Sequence, residues 1–327
     1  MQTKVLQPTE ENIKLCAHAL ENGELVSFPT ETVYALGALA TDAEAVKRVF
    51  EVKGRPLDRA LIVAVSDKSE ISSVVKRIPE KAQTLIDRFM PGALTLLFDR
   101  APCIPDIVTS GGESVAVRIP DNEIALKLIR LAGGPVVVPS ANTSEKPSPT
   151  LAEHVKSDLD GKIEYILDGG PSEIGIESTI IDARAEPPVI LRVGGVTKEQ
   201  IESVIGQVTL ARERAKTDPF KPSAEVFFSA FYPGMESNIC TRYDEMTERG
   251  RSVVIVCLDG NKSKYGKRNV YAVGGDYKEY AHNLFAMLRR ADDENFDTVI
   301  AEGVDNTSGL GLSLVERLVK LSGGMII

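Results

Sequence analysis

The chain alternates between short apolar runs, which are typical of buried strands, and longer amphipathic stretches, which are typical of helices. The apolar runs predict strands at residues 25–28, 61–65, 94–98, 135–138, 165–167, 178–182, 189–193, 253–258, 269–273 and 298–301, and the alternating pattern at 114–119 predicts a further strand. Apolar residues spaced three or four positions apart predict helices at residues 10–21, 43–52, 79–89, 121–131, 197–205, 277–291 and 312–321. Strands and helices that alternate in this way predict an α/β fold.

Polar loops follow several of the predicted strands. Residues 29–34 follow the first apolar strand, and residues 139–150 follow the apolar run at 135–138. A Lys-Gly-Arg-Pro sequence at residues 53–56 ends the helix predicted at 43–52. Ligands of α/β proteins gather where strands end, so these loops are the first candidates for a binding site.

The pattern divides the chain into three parts. We expect one α/β domain over residues 1–208 and a smaller α/β domain over residues 250–327. Residues 209–249 show no sustained hydrophobic period, and we predict that they form a linker, because long stretches of this kind are usually functional loops or disordered.

The composition is that of a globular protein, and it disfavours several functional classes. Hydrophobic residues make up 43% and charged residues 26% of the chain, and no apolar run approaches the ~18 residues of a membrane span. The net charge of −9 argues against a general coat for nucleic acid. The N-terminus shows no apolar signal sequence and the cysteines form no C-x-x-C pair, so we expect a cytoplasmic protein. No Ser-His-Asp or Cys-His grouping supports covalent hydrolase chemistry.

The candidate chemistry comes from cations and hydroxyls at the predicted strand ends. The chain contains neither a G-x-x-x-x-G-K-[ST] loop nor a G-x-G-x-x-G sequence. We therefore expect any nucleotide phosphate to be held by side chains that donate hydrogen bonds. The candidates are the cations Lys53, Arg55, Arg118 and Arg192 and the polar residues Ser114, Ser140, Asn142, Ser148 and Ser178.

Seven motifs stand in the same order as in a known family. They are F-P-T-E-T-V-Y at 28–34, K-G-R-P at 53–56, V-A-V-R-I-P at 115–120, P-S-A-N at 139–142, P-S-P-T at 147–150, G-I-E-S-T at 175–179 and L-R at 191–192. On these motifs, residues 3–208 resemble the YrdC/Sua5 family of threonylcarbamoyl-AMP synthases, and the C-terminal part is similar to the domain of the longer, Sua5-type members. The resemblance implies a twisted mixed sheet with helices around a concave cavity, plus a small Rossmann-like C-terminal α/β domain.

The family makes L-threonylcarbamoyl-AMP and pyrophosphate from L-threonine, bicarbonate and ATP, and a downstream transferase machinery uses the product for the t6A37 modification of tRNA. The resemblance implies catalytic roles for Lys53 and Arg55. It assigns ATP binding to Arg55, Arg59, Ser114, Ser140, Asn142, Ser148 and Arg192, and threonine binding to Thr32, Arg118, Val138 and Ser178. We expect Mg²⁺ to accompany ATP without a metal site of the protein's own. The planar fork of Arg118 suits the threonine carboxylate.

The chain departs from the family at several of these positions. Arg59 stands where the family has Asn, and Ala64 stands where it has a substrate-contacting His. The P-G-M sequence at 233–235 is present, but the His-Tyr-Ala-Pro expected after it is not. Two alternatives therefore stay open: a diverged paralogue that makes another carbamoyl-adenylate, and a non-catalytic RNA-binding module. The acidic charge and the absence of interleaved aromatic residues argue against RNA binding, and direct contact with tRNA is left open.

Overall fold

The computed structural model describes residues 2–211 and 222–327. These residues divide into two compact units. The first unit holds residues 2–144 and 148–211, and the second holds residues 145–147 and 222–327. Each unit has its own sheet and its own hydrophobic core.

A mixed sheet of eleven strands forms the centre of the first unit within the described part of the chain. In chain order the strands are β1 Lys4–Leu6, β2 Val26–Phe28, β3 Ala35–Leu39, β4 Ile62–Ala64, β5 Leu94–Asp99, β6 Ser114–Arg118, β7 Val136–Val137, β8 Tyr165–Leu167, β9 Thr179–Asp182, β10 Val189–Arg192 and β11 Thr209–Leu210. Their order across the sheet is β1-β8-β2-β3-β7-β4-β6-β5-β9-β10-β11. Because β4 pairs with β6 in parallel and with β7 in antiparallel orientation, the predicted mixed sheet is confirmed.

Helices connect many of these strands. They are α1 Glu10–Glu21, α2 Ala43–Lys53, α3 Ile71–Val74, α4 Glu80–Phe89, α5 Asp106–Thr109, α6 Glu123–Leu131, α7 Ala152–Leu159 and α8 Lys198–Ile205. At the start of α2, the Asp42 carboxylate accepts hydrogen bonds from two backbone N–H groups, as its position before the helix predicts. Gly54 ends α2 with φ at 62°, a left-handed conformation that costs little without a Cβ atom. The helix therefore stops between Lys53 and Arg55.

The second unit is a smaller α/β fold with a parallel sheet. Its strands are β12 Glu225–Phe228, β13 Val253–Cys257, β14 Val270–Ala272 and β15 Thr298–Ala301, in the order β12-β15-β13-β14. Its helices are α9 Met235–Glu248, α10 Tyr277–Asp293 and α11 Gly309–Leu321. All of its strand pairs are parallel, as expected for a Rossmann-like unit. None of the helices in the described residues of either unit is long and apolar enough to cross a membrane.

The predicted linker at residues 209–249 is wrong for residues 225–248. Those residues contain β12 and α9, which belong to the second unit. The apolar stripe of α9 is thin, because Met235, Ile239 and Tyr243 are its buried residues among fourteen, so its helical period is weak. Residues 212–221 of the predicted linker lie outside the described residues.

Candidate active site

Neighbouring strands of the first unit bring predicted site residues from distant parts of the chain close together. Arg118, the last residue of β6, pairs in register with Ala64 at the end of β4. Ala64 pairs in turn with Val136 of β7, and the chain leaves β7 just before Val138. Because β7 runs antiparallel to β4, Val138 lies beside Ile62, and its backbone N–H donates to Ile62 O at 2.8 Å. Arg118 and Val138 are thus only one strand apart, although they are distant in the chain.

Arg118 is held by an ion pair inside the protein. Its Nη2 donates a hydrogen bond to Glu31 Oε1 at 2.5 Å, and its Nη1 donates to Thr32 Oγ1 at 3.1 Å. The side chains of Arg118 and Glu31 are only 7% and 4% exposed. A buried pair is costly to break, because the group left behind keeps its charge away from water. The pair and the Thr32 contact together hold the guanidinium of Arg118 in place.

The loop between β2 and β3 supplies both partners of the arginine. Within this loop, Thr30 Oγ1 donates to Val33 O at 2.6 Å and lies 2.9 Å from Thr32 Oγ1. From outside the loop, Ile174 N donates to Glu31 O at 2.7 Å. These hydrogen bonds give a short, hydroxyl-rich segment a defined shape without regular secondary structure.

Tyr34 ties this loop to two other loops. Its backbone N–H donates to Pro149 O at 2.8 Å, and its backbone O accepts from Ala141 N at 2.9 Å. Its phenol donates to Gly170 O at 2.7 Å. Burial raises the pKa of Tyr34 well above the usual value of a phenol, so the hydroxyl remains a hydrogen-bond donor. The loops after β2, β7 and β8 are thereby joined into one framework.

A small pocket opens beside Arg118. It is lined by Thr30, Thr32, Val33, Ala35, Arg118, Pro120 and Val138. Three of the four positions that the resemblance assigned to threonine, Thr32, Arg118 and Val138, are in this lining. One cation and two hydroxyls among apolar walls suit a small molecule that carries both a negative charge and an apolar part.

The fourth of those positions, Ser178, lies in a second hydrogen-bonded group with Arg192. Arg192 Nε donates to Ser178 O at 2.9 Å, and its Nη2 donates to Ser178 Oγ at 3.1 Å. Thr95 Oγ1 lies 2.8 Å from Ser178 Oγ. The close approach of the backbones requires Gly194, where a Cβ atom would lie 2.3 Å from Glu177 O. A residue assigned to threonine and a residue assigned to ATP are therefore in direct contact.

Lys53 is turned inward and holds the loop after β7. Its Nζ donates to Ser140 O and to Asn142 O, each at 2.6 Å. The side chain has no exposed surface. Because Ser140 and Asn142 are both predicted ATP contacts, this arrangement lets Lys53 set the shape of the loop that carries them.

Arg55 lies just beyond the end of α2 and is half-buried. Its Nε donates to Arg59 O at 3.1 Å, and its Nη2 donates to Ala60 O at 3.1 Å. The guanidinium thus braces the turn at the end of α2, and it brings the two predicted arginines of this segment close in space.

The last two predicted ATP residues have separate surroundings. Ser148 is buried, and its Oγ donates to Glu177 Oε1 at 2.8 Å. Ser114 is the first residue of β6, whereas Arg118 is the last. Four residues of extended strand span roughly 13 Å, so Ser114 does not lie beside the arginine pocket.

Four residues whose side chains contact a predicted site residue had no assignment from the sequence. They are Thr30, Glu31, Thr95 and Glu177. Three of them lie inside the motifs at 28–34 and 175–179, where their neighbours received the assignment. Thr95 could have been found as a hydroxyl inside an apolar strand, because a buried polar side chain needs a hydrogen-bond partner.

Position 64 is completely buried and lies in register with Arg118. The methyl group of Ala64 can neither donate nor accept a hydrogen bond. The polar contact that a histidine would supply at this position is therefore absent from this chain.

Two family profiles match consecutive parts of the chain. A family profile described as "Telomere recombination" (Sua5_yciO_yrdC) matches residues 18–194, and one described as "Threonylcarbamoyl-AMP synthase, C-terminal domain" (Sua5_C) matches residues 196–323. The threonylcarbamoyl-AMP synthase of Pyrococcus abyssi is 43% identical over 97% of this chain and 96% of that protein. The threonylcarbamoyl-AMP synthase of Bacillus subtilis is 41% identical over 99% of this chain and 97% of that protein. A crystal structure of P. abyssi Sua5 complexed with L-threonine matches with a TM-score of 0.92 and 41% identity, covering 100% of this chain and 98% of that one.

Proposed function

Because the chain belongs to the Sua5/YrdC family of threonylcarbamoyl-AMP synthases, we propose that it makes L-threonylcarbamoyl-AMP and pyrophosphate from L-threonine, bicarbonate and ATP. The observation that carries the proposal is the pocket in which the buried cation of Arg118 meets Thr32 and Val138. The product serves the t6A modification of tRNA. In our proposal, a separate transferase machinery carries it to the tRNA.

The reaction joins an amine, bicarbonate and a nucleotide without a covalent enzyme intermediate. Threonine first gives up the proton of its ammonium group. The free amine then attacks the carbon of bicarbonate, and one water molecule leaves as the N-carboxylate forms. An oxygen of this carbamate then bonds to the α-phosphorus of ATP, while the bond from that phosphorus to the bridging oxygen breaks and pyrophosphate leaves. Two anions must approach each other in this second step, so donors that neutralise charge are the main requirement.

In our proposal, Arg118 binds the threonine carboxylate in the pocket. A guanidinium matches a carboxylate through two parallel hydrogen bonds. Glu31 and Thr32 already hold the arginine, so little freedom is lost when the substrate arrives. Arg118 Nε and Glu31 Oε2 are buried and have no hydrogen-bond partner among the described residues. Buried polar atoms are nearly always satisfied, which supports an anionic substrate group as the acceptor for Arg118 Nε.

The ATP site of our proposal uses the second hydrogen-bonded group and the loop after β7. Arg192 carries the positive charge beside Ser178, and Ser140, Asn142 and Ser148 supply polar groups on one continuous loop. Arg55, Arg59 and Ser114 complete the set of proposed contacts. Holding both reactants in place can lower the barrier by as much as ~7–11 kcal/mol in favourable cases.

Lys53 acts as a positioning residue in our proposal, in place of the catalytic role that the resemblance implies. Its ammonium is already satisfied by two backbone carbonyls at 2.6 Å, and it has no exposed surface. A cation in this position stabilises the loop that meets ATP and contributes a long-range positive potential.

Mg²⁺ enters our proposal only as part of the substrate. Magnesium in phosphoryl-transfer sites is held largely by the phosphates and by water. Among residues 2–211 and 222–327, no group of three or more His, Cys, Asp and Glu side chains is placed to hold a metal ion.

The test is the release of pyrophosphate from ATP by the full-length protein, with identification of the adenylate by mass. We expect release to require both L-threonine and bicarbonate, and Arg118→Gln to abolish it, whereas Arg77→Gln at an exposed position leaves it unchanged. Release that ignores threonine would favour the diverged paralogue, for which Ala64 is the specific observation. Salt-sensitive tRNA binding without any ATP-dependent reaction would favour the RNA-binding alternative.

A further inference from the structure

Thr30 and Thr32 lie next to each other in the lining of the pocket, and each hydroxyl has one proton and two lone pairs. Their oxygens are 2.9 Å apart, so one of them donates to the other. The direction of that hydrogen bond decides what Thr32 can offer to a ligand.

The proton of Thr30 is committed to a backbone carbonyl. Thr30 Oγ1 lies 2.6 Å from Val33 O, a distance at which two oxygens without a proton between them would repel. A carbonyl oxygen has no proton to give, so Thr30 must be the donor. Two backbone N–H groups, those of Thr32 and Val33, also point at Thr30 Oγ1, each at the longer distance of 3.3 Å. These two weak contacts share one lone pair of Thr30, which leaves the second lone pair for Thr32 Oγ1 at 2.9 Å.

Thr32 must then donate its own proton to Thr30. Arg118 Nη1 donates to Thr32 Oγ1 at 3.1 Å, and a guanidinium can only donate. The chain of hydrogen bonds therefore runs in one direction, from Arg118 through Thr32 and Thr30 to the carbonyl of Val33. Bonds aligned in this way polarise and strengthen one another. Thr32 keeps one lone pair and no free proton.

We propose that Thr30 is a positioning residue that makes Thr32 an acceptor-only hydroxyl, so that the pocket selects an amino acid with a hydrogen-bond donor on its β-carbon. This inference rests on the proposed function. The threonine carboxylate takes Arg118, and the amine must stay open to bicarbonate. The β-hydroxyl is then the substrate group that donates to Thr32.

The sharpest probe is L-threo-2-amino-3-fluorobutanoate, in which fluorine replaces the β-hydroxyl of threonine. Fluorine is similar in size to a hydroxyl, but it cannot donate a hydrogen bond. In the wild-type protein it would face the lone pair of Thr32 and leave a buried acceptor unsatisfied. We expect kcat/KM for this analogue to be at least about tenfold below that for L-threonine.

Thr30→Val tests the direction of the chain, because the variant has nearly the same shape but no hydroxyl. The proton of Thr32 loses its acceptor and can turn towards the fluorine. We expect the preference for threonine over the analogue to fall about tenfold, mainly through the KM of the analogue. Thr30→Ser keeps the hydroxyl and should keep the wild-type preference. Thr84→Val, at an exposed position of α4, is the matched control.

A Thr30→Val protein that keeps the wild-type preference would overturn the inference, as would a wild type that does not discriminate. If turnover of Thr30→Val is too slow, the ratio of the two dissociation constants by calorimetry gives the same comparison. Loss of binding in both Thr30→Val and Thr30→Ser would also overturn it, because the hydroxyl would then not be the cause. A wild type whose pyrophosphate release ignores threonine would instead defeat the proposed function.

Discussion

Glu31→Ala removes the carboxylate that compensates Arg118, and we expect it to be among the most damaging single changes in the first unit. The two side chains are 4% and 7% exposed and their closest N and O atoms are 2.5 Å apart. Removing one partner of a buried pair leaves the other charge without compensation, which typically costs ~3–5 kcal/mol. The free energy of unfolding of a domain is itself about 5–15 kcal/mol, so the change should be obvious.

Urea titration of the full-length protein, followed by circular dichroism, measures this loss as a lower midpoint at an unchanged slope. Glu10→Ala is the control, because Glu10 forms an ion pair with Lys14 at 3.1 Å on the surface, with side chains 65% and 61% exposed. We expect no measurable change in that variant. In the double variant Glu31→Ala/Arg118→Met, the loss in free energy of unfolding should be smaller than the sum of the losses in the two single variants, because both changes remove the same interaction.

The same variant should also change substrate binding. Without Glu31 the guanidinium of Arg118 is free to move, so we expect the KM for L-threonine to rise by about tenfold or more, with a smaller effect on the KM for ATP. Glu31→Asp retains the charge and should recover part of the loss. A Glu31→Ala protein with wild-type urea midpoint and wild-type KM for threonine would refute the reasoning.

Three further predictions concern other parts of the chain. Lys53→Met removes the donor to the carbonyls of Ser140 and Asn142, and urea titration should show a loss of about 2–4 kcal/mol in the free energy of unfolding. A midpoint within error of the wild type would contradict the positioning role. Gly194→Ala places a Cβ atom 2.3 Å from the backbone oxygen of Glu177, so calorimetry should show a lower Tm and the KM for ATP should rise. Gly134→Ala is the control, because the nearest atom to its Cβ is 3.6 Å away, and it should change neither the Tm nor the KM. Burial raises the pKa of the Cys16 thiol to about 12. A disulfide reagent at pH 8 should therefore modify exposed Cys103 in the native protein, but Cys16 only after unfolding. Fast modification of Cys16 in the native protein would contradict this prediction.

The sequence predicts the fold class well, because apolar runs and helical spacing are local signals. It misses β3, whose residues Ala35–Leu39 are small or apolar with no alternation. A central strand buried on both faces loses that alternation. At Gly37 of this strand, a Cβ atom would lie 2.7 Å from the ring of Phe28, so the small residue serves packing. The helix α9 is missed because most of its residues are polar and at least partly exposed, so the sequence shows little helical periodicity of apolar residues.

The candidate site is predictable as a set of positions, but its contacts are not. The motifs place Thr32 and Arg118 in one list, yet the 3.1 Å contact between them joins residues 86 positions apart. The same is true of Thr95 and Ser178, which are 83 positions apart. Local patterns report what lies along one strand or helix, whereas these pairs depend on which strands are neighbours in the sheet. For the same reason, the sequence does not reveal that Lys53 points into the protein and donates to the loop after β7.

The proposed reaction requires above all that Arg118 binds the carboxylate of threonine. Calorimetric titration of the full-length protein with L-threonine, compared with the same titration of Arg118→Gln, measures this contribution. We predict saturable binding to the wild type and binding at least about 30-fold weaker in the variant, which corresponds to ~2 kcal/mol for a hydrogen bond between charged groups. Equal binding of L-threonine by the two proteins, with both folded, would contradict the account.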